Sequence, residues 1–191
     1  AHVSAGGYAT GIQMDFYGVD TTDVVINNRE GGVISATADE SYGVAIAISA
    51  DSDVLITNDG TITGAVRTGH GDDSFYNNSM NTWNAYGESD FGIGEDSIIN
   101  AETGRIVMTD ALIDLGLAGE DGNIFDNQGL IEIVGDNLID MGKYFESDNP
   151  NALENSGHID FTDDDGDTDD SLMIYGDFSS DGGQISVDID G

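Results

Sequence analysis

"DVLITNDGTITG", residues 53–64, holds the pattern that decides the fold. A short run of Val, Leu, Ile and Thr ends at Asn58, and Gly60 follows; a second run places Ile62 two positions beyond that glycine. Short β-branched runs bounded by Asn, Asp and Gly read as strands joined by a tight corner. Asn suits such a corner because it tolerates the left-handed backbone conformation that most side chains resist.

The same signature returns along the chain. "NREGGVI" ends at Ile34, "NAETGRI" at Ile106, "NQGLI" at Ile131 and "NSGHI" at Ile159. A degenerate copy, "NSMNTW", ends at Trp83, and "SDGGQI" closes the series at Ile185. Successive spacings of 28, 21, 23, 25, 28 and 26 residues define a repeat, with a unit of about 25 residues. Each unit has three parts. An Asp leads an apolar stretch, as in "DVVINN" from Asp23 and "DSIINA" from Asp96; a strand follows the Asn–Gly corner, as in "GRIVM" and "GLIEI"; a third apolar stretch closes the unit, as in "DALIDL" from Asp110 and "DNLIDM" from Asp136. Many of these alternate apolar and polar residues, and no window sustains a helical apolar face.

Three short strands per unit predict an all-β chain folded as a right-handed parallel β-helix, a solenoid of about seven coils. The reading takes residues 1–191 as one β-helix domain with an acidic loop near 160–171. A single coil cannot bury its inward face, so coils must stack. Stacking puts Ile34, Ile62, Ile106, Ile131 and Ile159 in one inward column and lets corner asparagines bond from coil to coil.

Composition narrows the partners. The chain has 191 residues, 38 Asp and Glu against 4 Lys and Arg, and a net charge of −34. Such a surface repels nucleic acid and anionic membranes and attracts divalent cations. No Cys is present, which removes disulfides and thiolate chemistry. No apolar run approaches the ~20 residues of a membrane span. "AHVSAGGYAT" lacks the basic and apolar regions of a signal peptide. An exported protein would therefore be numbered after cleavage or be a piece of something longer.

"DVLITNDGTITG", "DSIINAETGRIVM", "IFDNQGLIEI" and the C-terminal "SLMIYGDFSSDGGQISVDIDG" resemble the coils of autotransporter passenger domains and related bacterial surface adhesins. The resemblance runs from about Gly11 to Gly191. It implies secretion, or display on the surface of a Gram-negative bacterium, and the family's membrane barrel is absent from this chain. A narrower resemblance concerns two corners. "TGHGDDSFY" (68–76) and "FGIGEDSII" (91–99) are similar to single copies of the glycine- and aspartate-rich repeat of repeats-in-toxin proteins, through Gly69, Gly71 and Asp73, and through Gly92, Gly94 and Asp96. That family holds calcium between tandem copies; here the copies stand 23 residues apart, from Asp73 to Asp96.

The candidate calcium ligands are accordingly Asp72, Asp73, Glu95, Asp96, Glu120 and Asp121 at three Gly–acid corners, and Asp163, Asp165, Asp167 and Asp169 in the run "DFTDDDGDTDDS". Carboxylates with loop carbonyls suit a hard cation. The competing reading gives each Asp to the backbone N–H groups of its own turn. Stacked carboxylates repel unless a cation or a donor sits between them. The acidic run is no EF-hand: with Gly166 at the sixth position of such a loop, Phe161 falls at the first and Leu172 at the twelfth.

Catalytic residues are not in evidence. Arg29, Arg67, Arg105, Lys143 and the three His are scattered, and Ser74 and Ser97 have no His at fixed spacing. The aromatic residues Phe75, Tyr76, Trp83, Tyr86 and Phe91 read as core where Trp83 replaces Ile, or as a sugar-stacking platform. The sequence therefore points to a non-catalytic extracellular structural or adhesive protein, stabilised by calcium. Both ends read as unfinished coils, so its expected partners are like subunits joined end to end into filaments, or other cell-surface molecules. The alternative is a carbohydrate-active enzyme on the same fold, a polysaccharide lyase or hydrolase.

Overall fold

The computed structural model describes residues 2–5, 9–16, 23–38, 41–78, 80, 82–118, 122–142, 151–162 and 169–187. The chain is an all-β parallel solenoid with about 26 residues per turn. Among the described residues there is no helix. Among these residues one pairing is antiparallel, between Val33–Ala38 and Ser41–Tyr42, and the other strand ladders are parallel.

Seven strands that precede the Asn corners stack in one sheet: Val24–Asn28, Val54–Asn58, Ser74–Asn77, Ser97–Asn100, Ile124–Asn127, Ala152–Asn155 and Asp177–Ser180. Their side chains alternate between the two faces, as a strand requires. Ile26, Ile56, Phe75, Ile98, Phe125, Leu153 and Phe178 pair in register along the inward face. Burying each such side chain stabilises the fold by roughly 1.5–3 kcal/mol.

The strands beyond the corners form the main path of a fourteen-stranded sheet. Register there runs Ile34, Ile62, Trp83, Ile106, Ile131, Ile159, Ile185. This is the column expected from the repeat, and all but Ile185 are buried. Trp83 fills its place against Phe75, with ring centroids 4.7 Å apart. Its indole N–H donates to the Gly64 carbonyl at 3.1 Å, so the larger ring brings no unsatisfied donor into the core.

The expectation of three separate strands in every unit needs correcting. Thr82–Asp90 and Arg105–Asp114 each run through the second and third parts as one strand. The bend is absorbed locally: register shifts between Tyr86 and Gly87, and Asp110 sits at φ 46° as the extra residue opposite. The third-part strands thereby join the larger sheet, and a third sheet holds only Ile93–Gly94 and Leu117–Ala118.

One corner explains part of the high glycine content. Gly92, Gly116 and Gly142 have φ of 92°, 68° and 81°. A Cβ at Gly92 would fall on the carbonyl oxygen of Gly69, one at Gly116 on that of Gly92, and one at Gly142 on that of Gly116. Coils approach here at backbone distance, which only glycine permits.

Candidate functional site

The chemistry of this molecule gathers at the two ends of the strands in the seven-stranded sheet. At the C-terminal end, Asn28, Asn58, Asn77, Asn100, Asn127 and Asn155 stand in register. Each Nδ2 donates to the Oδ1 of the next, at 2.8, 2.8, 2.9, 2.8 and 2.7 Å. The second amide proton goes to a backbone carbonyl of the following coil: Asn77 to Arg105 and Asn100 to Leu130, both at 3.1 Å. All six side chains are buried. A primary amide carries donors and an acceptor on one planar group, so an amide stack satisfies itself. In the degenerate copy the ladder residue is Asn77, not the Asn78 that opens "NSMNTW", because Asn77 pairs with both Asn58 and Asn100. Ser180 takes the position beyond Asn155.

At the N-terminal end the stack is mixed. Asp73 Oδ1 accepts the Val54 N–H at 2.8 Å, and Asp96 Oδ1 accepts the Asp73 N–H at 2.9 Å. Asn123 Oδ1 then accepts from Asp96, and Asn151 Oδ1 from Asn123, each at 2.9 Å. The Gly–acid corners at 71–73 and 94–96 therefore do stack. The residue in line with Asp73 and Asp96 in the next coil is Asn123 rather than Asp121, since Ser97 pairs with Ile124. Glu120 and Asp121 lie outside the described residues, as do Asp163, Asp165 and Asp167. Asp169 is described and exposed.

Asp72 and Glu95 belong to a parallel, outer ladder. Asp53 Oδ1 accepts the Asp72 N–H, and Asp72 Oδ1 accepts the Glu95 N–H, both at 2.9 Å. The structure thus gives the corner acids Asp53, Asp72, Asp73 and Asp96 backbone donors from neighbouring coils. Among the described residues no group of three or more His, Cys, Asp or Glu is arranged to hold a metal ion, the corner acids Asp72, Asp73, Glu95 and Asp96 included.

Asp73 and Asp96 are 0% and 1% exposed, and the Oδ2 of each has no hydrogen-bond partner. Burial pushes Asp96 up to about 8; the Asp73 N–H opposes this, and Asp73, Asp72 and Asp90 add to it. Burial likewise pushes Asp73 up to about 6, against the Thr68 hydroxyl and the Val54 amide. The single Thr68 hydroxyl proton points to the Phe91 carbonyl at 3.2 Å, which leaves Asp73 Oδ2 without a committed donor.

A further set of acids escaped the sequence reading. Asp90, Asp114 and Asp140 align in register. Their Oδ1 atoms accept the N–H of Gly92, Gly116 and Gly142 at 2.9, 2.7 and 2.9 Å. "DFG", "DLG" and "DMG" at 90–92, 114–116 and 140–142 were the available signal, an Asp two residues before a corner glycine. Burial raises Asp114, with Asp140, Asp90 and Glu88 adding to the effect. Asp160 shows the contrary balance. Burial raises it, but the Thr162 N–H and hydroxyl, at 3.0 and 2.6 Å, outweigh that and leave it lowered.

On the outer face, Asp23, Val25, Asp53, Leu55, Asp72 and Tyr76 line a groove of about 590 Å³. Phe75, Trp83 and Phe91 are fully buried and belong to the core, so only Tyr76 and Tyr86 of the aromatic cluster reach the surface. The basic groups are dispersed: Arg67 pairs with Glu88 at 3.5 Å, Arg105 pairs with Glu132, and His70 meets Asp51 at 3.2 Å. No family model, curated protein or solved structure matches this chain.

Proposed function

We propose that the chain is a non-catalytic extracellular scaffold, a structural or adhesive solenoid of the kind that autotransporter passengers present at the surface of Gram-negative bacteria. The observation that carries this reading is the amide ladder from Asn28 to Asn155. Polar side chains committed to coil stacking favour stiffness and length over chemistry at one place. Asp53, Asp72, Asp73, Asp96 and the Asp90–Asp114–Asp140 column cap backbone N–H groups of their own or neighbouring coils.

End-to-end assembly belongs to the same proposal. Phe178 and Ile185 are 41% and 53% exposed although their columns are buried elsewhere, and a further coil or a second copy would cover them. The net charge of −34 opposes that contact, so cations must screen or bridge the surfaces. Calcium enters here as a counter-ion between molecules. Light scattering across a calcium series tests this: growth of linear oligomers supports end-to-end assembly, and a monomer throughout removes it.

The groove at Tyr76 favours the second reading, a carbohydrate-active enzyme, because an aromatic ring and three carboxylates meet there. Incubation with neutral and acidic polysaccharides decides between the two. New reducing ends or unsaturated products, lost in Asp53→Asn or Asp72→Asn, would overturn the scaffold reading; binding without cleavage would support an adhesive one.

A further inference from the structure

The column of residues 73, 96, 123 and 151 places two carboxylic side chains where the next two coils place amides. Asn123 shows what the position demands. Its Oδ1 accepts the N–H of the preceding coil, while its Nδ2 donates to the carbonyls of Leu115 at 2.8 Å and Met141 at 3.0 Å. Asn151 also accepts on Oδ1, from the Asn123 N–H, and donates from Nδ2, here to the Gly142 carbonyl at 3.0 Å, one residue beyond Met141. Register aligns Asp90 with Asp114 and Asp114 with Asp140, so Phe91, Leu115 and Met141 follow in one column. By that register the carbonyls that correspond one coil earlier are those of Phe91, which accepts the Thr68 hydroxyl at 3.2 Å, and Leu115, which accepts the Asn123 amide at 2.8 Å. Asp96 satisfies half of the pattern: its Oδ1 accepts the Asp73 N–H, and its buried Oδ2 has no partner.

We propose that Asp96 holds a proton on Oδ2 in the folded protein at neutral pH, acting as the amide's stand-in, and that losing this proton loosens the solenoid at this corner. A neutral carboxylic acid offers one acceptor and one donor, the pair that Asn123 uses. The ionised form offers acceptors only, and it would bury a charge among the other acids of this corner. The charged groups facing Asp96 are Asp73, Asp72 and Asp90; those facing Asp73 are Asp53 and Asp72. His70, whose backbone bridges to Ile93, directs its exposed ring to Asp51 instead. All three acids facing Asp96 disfavour its ionisation, and burial acts the same way.

The direction of the pH dependence follows. Asp96 binds its proton more tightly folded than unfolded, so its contribution is full below the ordinary carboxylate range. That contribution falls as pH rises and is gone above about 8. Asp73 contributes in the same sense over a narrower window, ending near 6.

The test is urea unfolding of the wild type, Asp96→Asn and Glu102→Gln at several pH values from about 5 to about 8.5. Glu102 is exposed on a turn, and its substitution removes the same charge without touching the column. We expect the wild-type folding constant to fall about tenfold per pH unit more steeply than that of Asp96→Asn, about 1.4 kcal/mol per unit. Asp96→Asn should be the more stable protein at the alkaline end, and Glu102→Gln should keep the wild-type slope. Equal slopes in wild type and Asp96→Asn would overturn the proposal. So would a Glu102→Gln slope flattened as much as that of Asp96→Asn, because general charge repulsion would then suffice. If Asp96→Asn does not fold, carbon NMR of the Asp96 carboxyl in the wild type decides: a protonated signal at pH 7 supports the proposal, and ionisation in the ordinary carboxylate range overturns it.

Discussion

The two ends of the strands in the seven-stranded sheet solve one problem with different groups. At both ends a side chain must cap a neighbouring coil inside the protein. The C-terminal end uses amides throughout, from Asn28 to Asn155, and the inner four, Asn58, Asn77, Asn100 and Asn127, each serve as donor and acceptor along the ladder. The N-terminal end uses Asp73 and Asp96 followed by Asn123 and Asn151, and only the amides have both functions filled. The contrast shows that stacking geometry alone does not make a ladder. The group must also carry a proton to give, and an aspartate has one only when it is neutral.

The largest effect should come from moving the acid to the wrong end. Asn100→Asp would break the bond to Asn127 and the bond to the Leu130 carbonyl, and would place a carboxylate amid buried amides. An uncompensated buried charge costs about 3–5 kcal/mol. Denaturant unfolding at neutral pH should show a loss of that order. An unchanged midpoint would mean that the amide ladder contributes little.

Next in size is Asn123→Asp, which extends the acidic pair into a third coil. Oδ1 can still accept the Asp96 N–H, but the donations to Leu115 and Met141 disappear unless the new acid is protonated. We expect a loss of about 2 kcal/mol at alkaline pH. It should shrink on acidification, because a buried carboxyl with a raised pKa is stabilising when protonated. A loss that is the same at both pH extremes would show that shape, not the proton, sets the requirement.

The smallest effect belongs to the partly exposed column. Asp114→Asn keeps an oxygen for the Gly116 N–H and removes repulsion from Asp140 and Asp90. Solvent screens these charges, so the gain should be no more than about 0.5 kcal/mol. Because burial and neighbouring acids raise Asp114, the gain should be larger at neutral pH than in acid. A clear loss of stability would assign this corner a dependence on the carboxylate that the buried corner lacks.

Much of this architecture is legible in the sequence, for a physical reason. Ile34, Ile62, Ile106, Ile131 and Ile159 each follow an Asn–Gly corner, and the corner itself fixes the register. Even Trp83 and Ile185 align, although Asn81 stands two residues before Trp83 where the other members have Gly, and Ser180 stands before Ile185 where the others have the ladder Asn. What stayed hidden depends on contacts between coils. Asn77 and Asn78 are adjacent, and only pairing with Asn58 and Asn100 distinguishes the ladder residue. Asp121 resembles Asp96 in its motif, but Asn123, seven residues after Gly116 where Asp96 is four after Gly92, is the residue in line with Asp96. The Asp90, Asp114 and Asp140 caps were written in the sequence as Asp-x-Gly; their meaning required knowing that coils touch through the glycines. Burial of Asp73 and Asp96 could not be read at all, because acids in glycine corners are ordinarily solvated.

Hydrogen exchange of the asparagine side-chain amides, followed by NMR, tests the central claim most directly. Asn100 is fully buried within the ladder, whereas Asn27 lies exposed on the strand Val24–Asn28. The ladder predicts that the Nδ2 protons of Asn58, Asn77, Asn100 and Asn127 exchange far more slowly than those of Asn27. Exchange of the Asn100 amide as fast as that of Asn27 would contradict it.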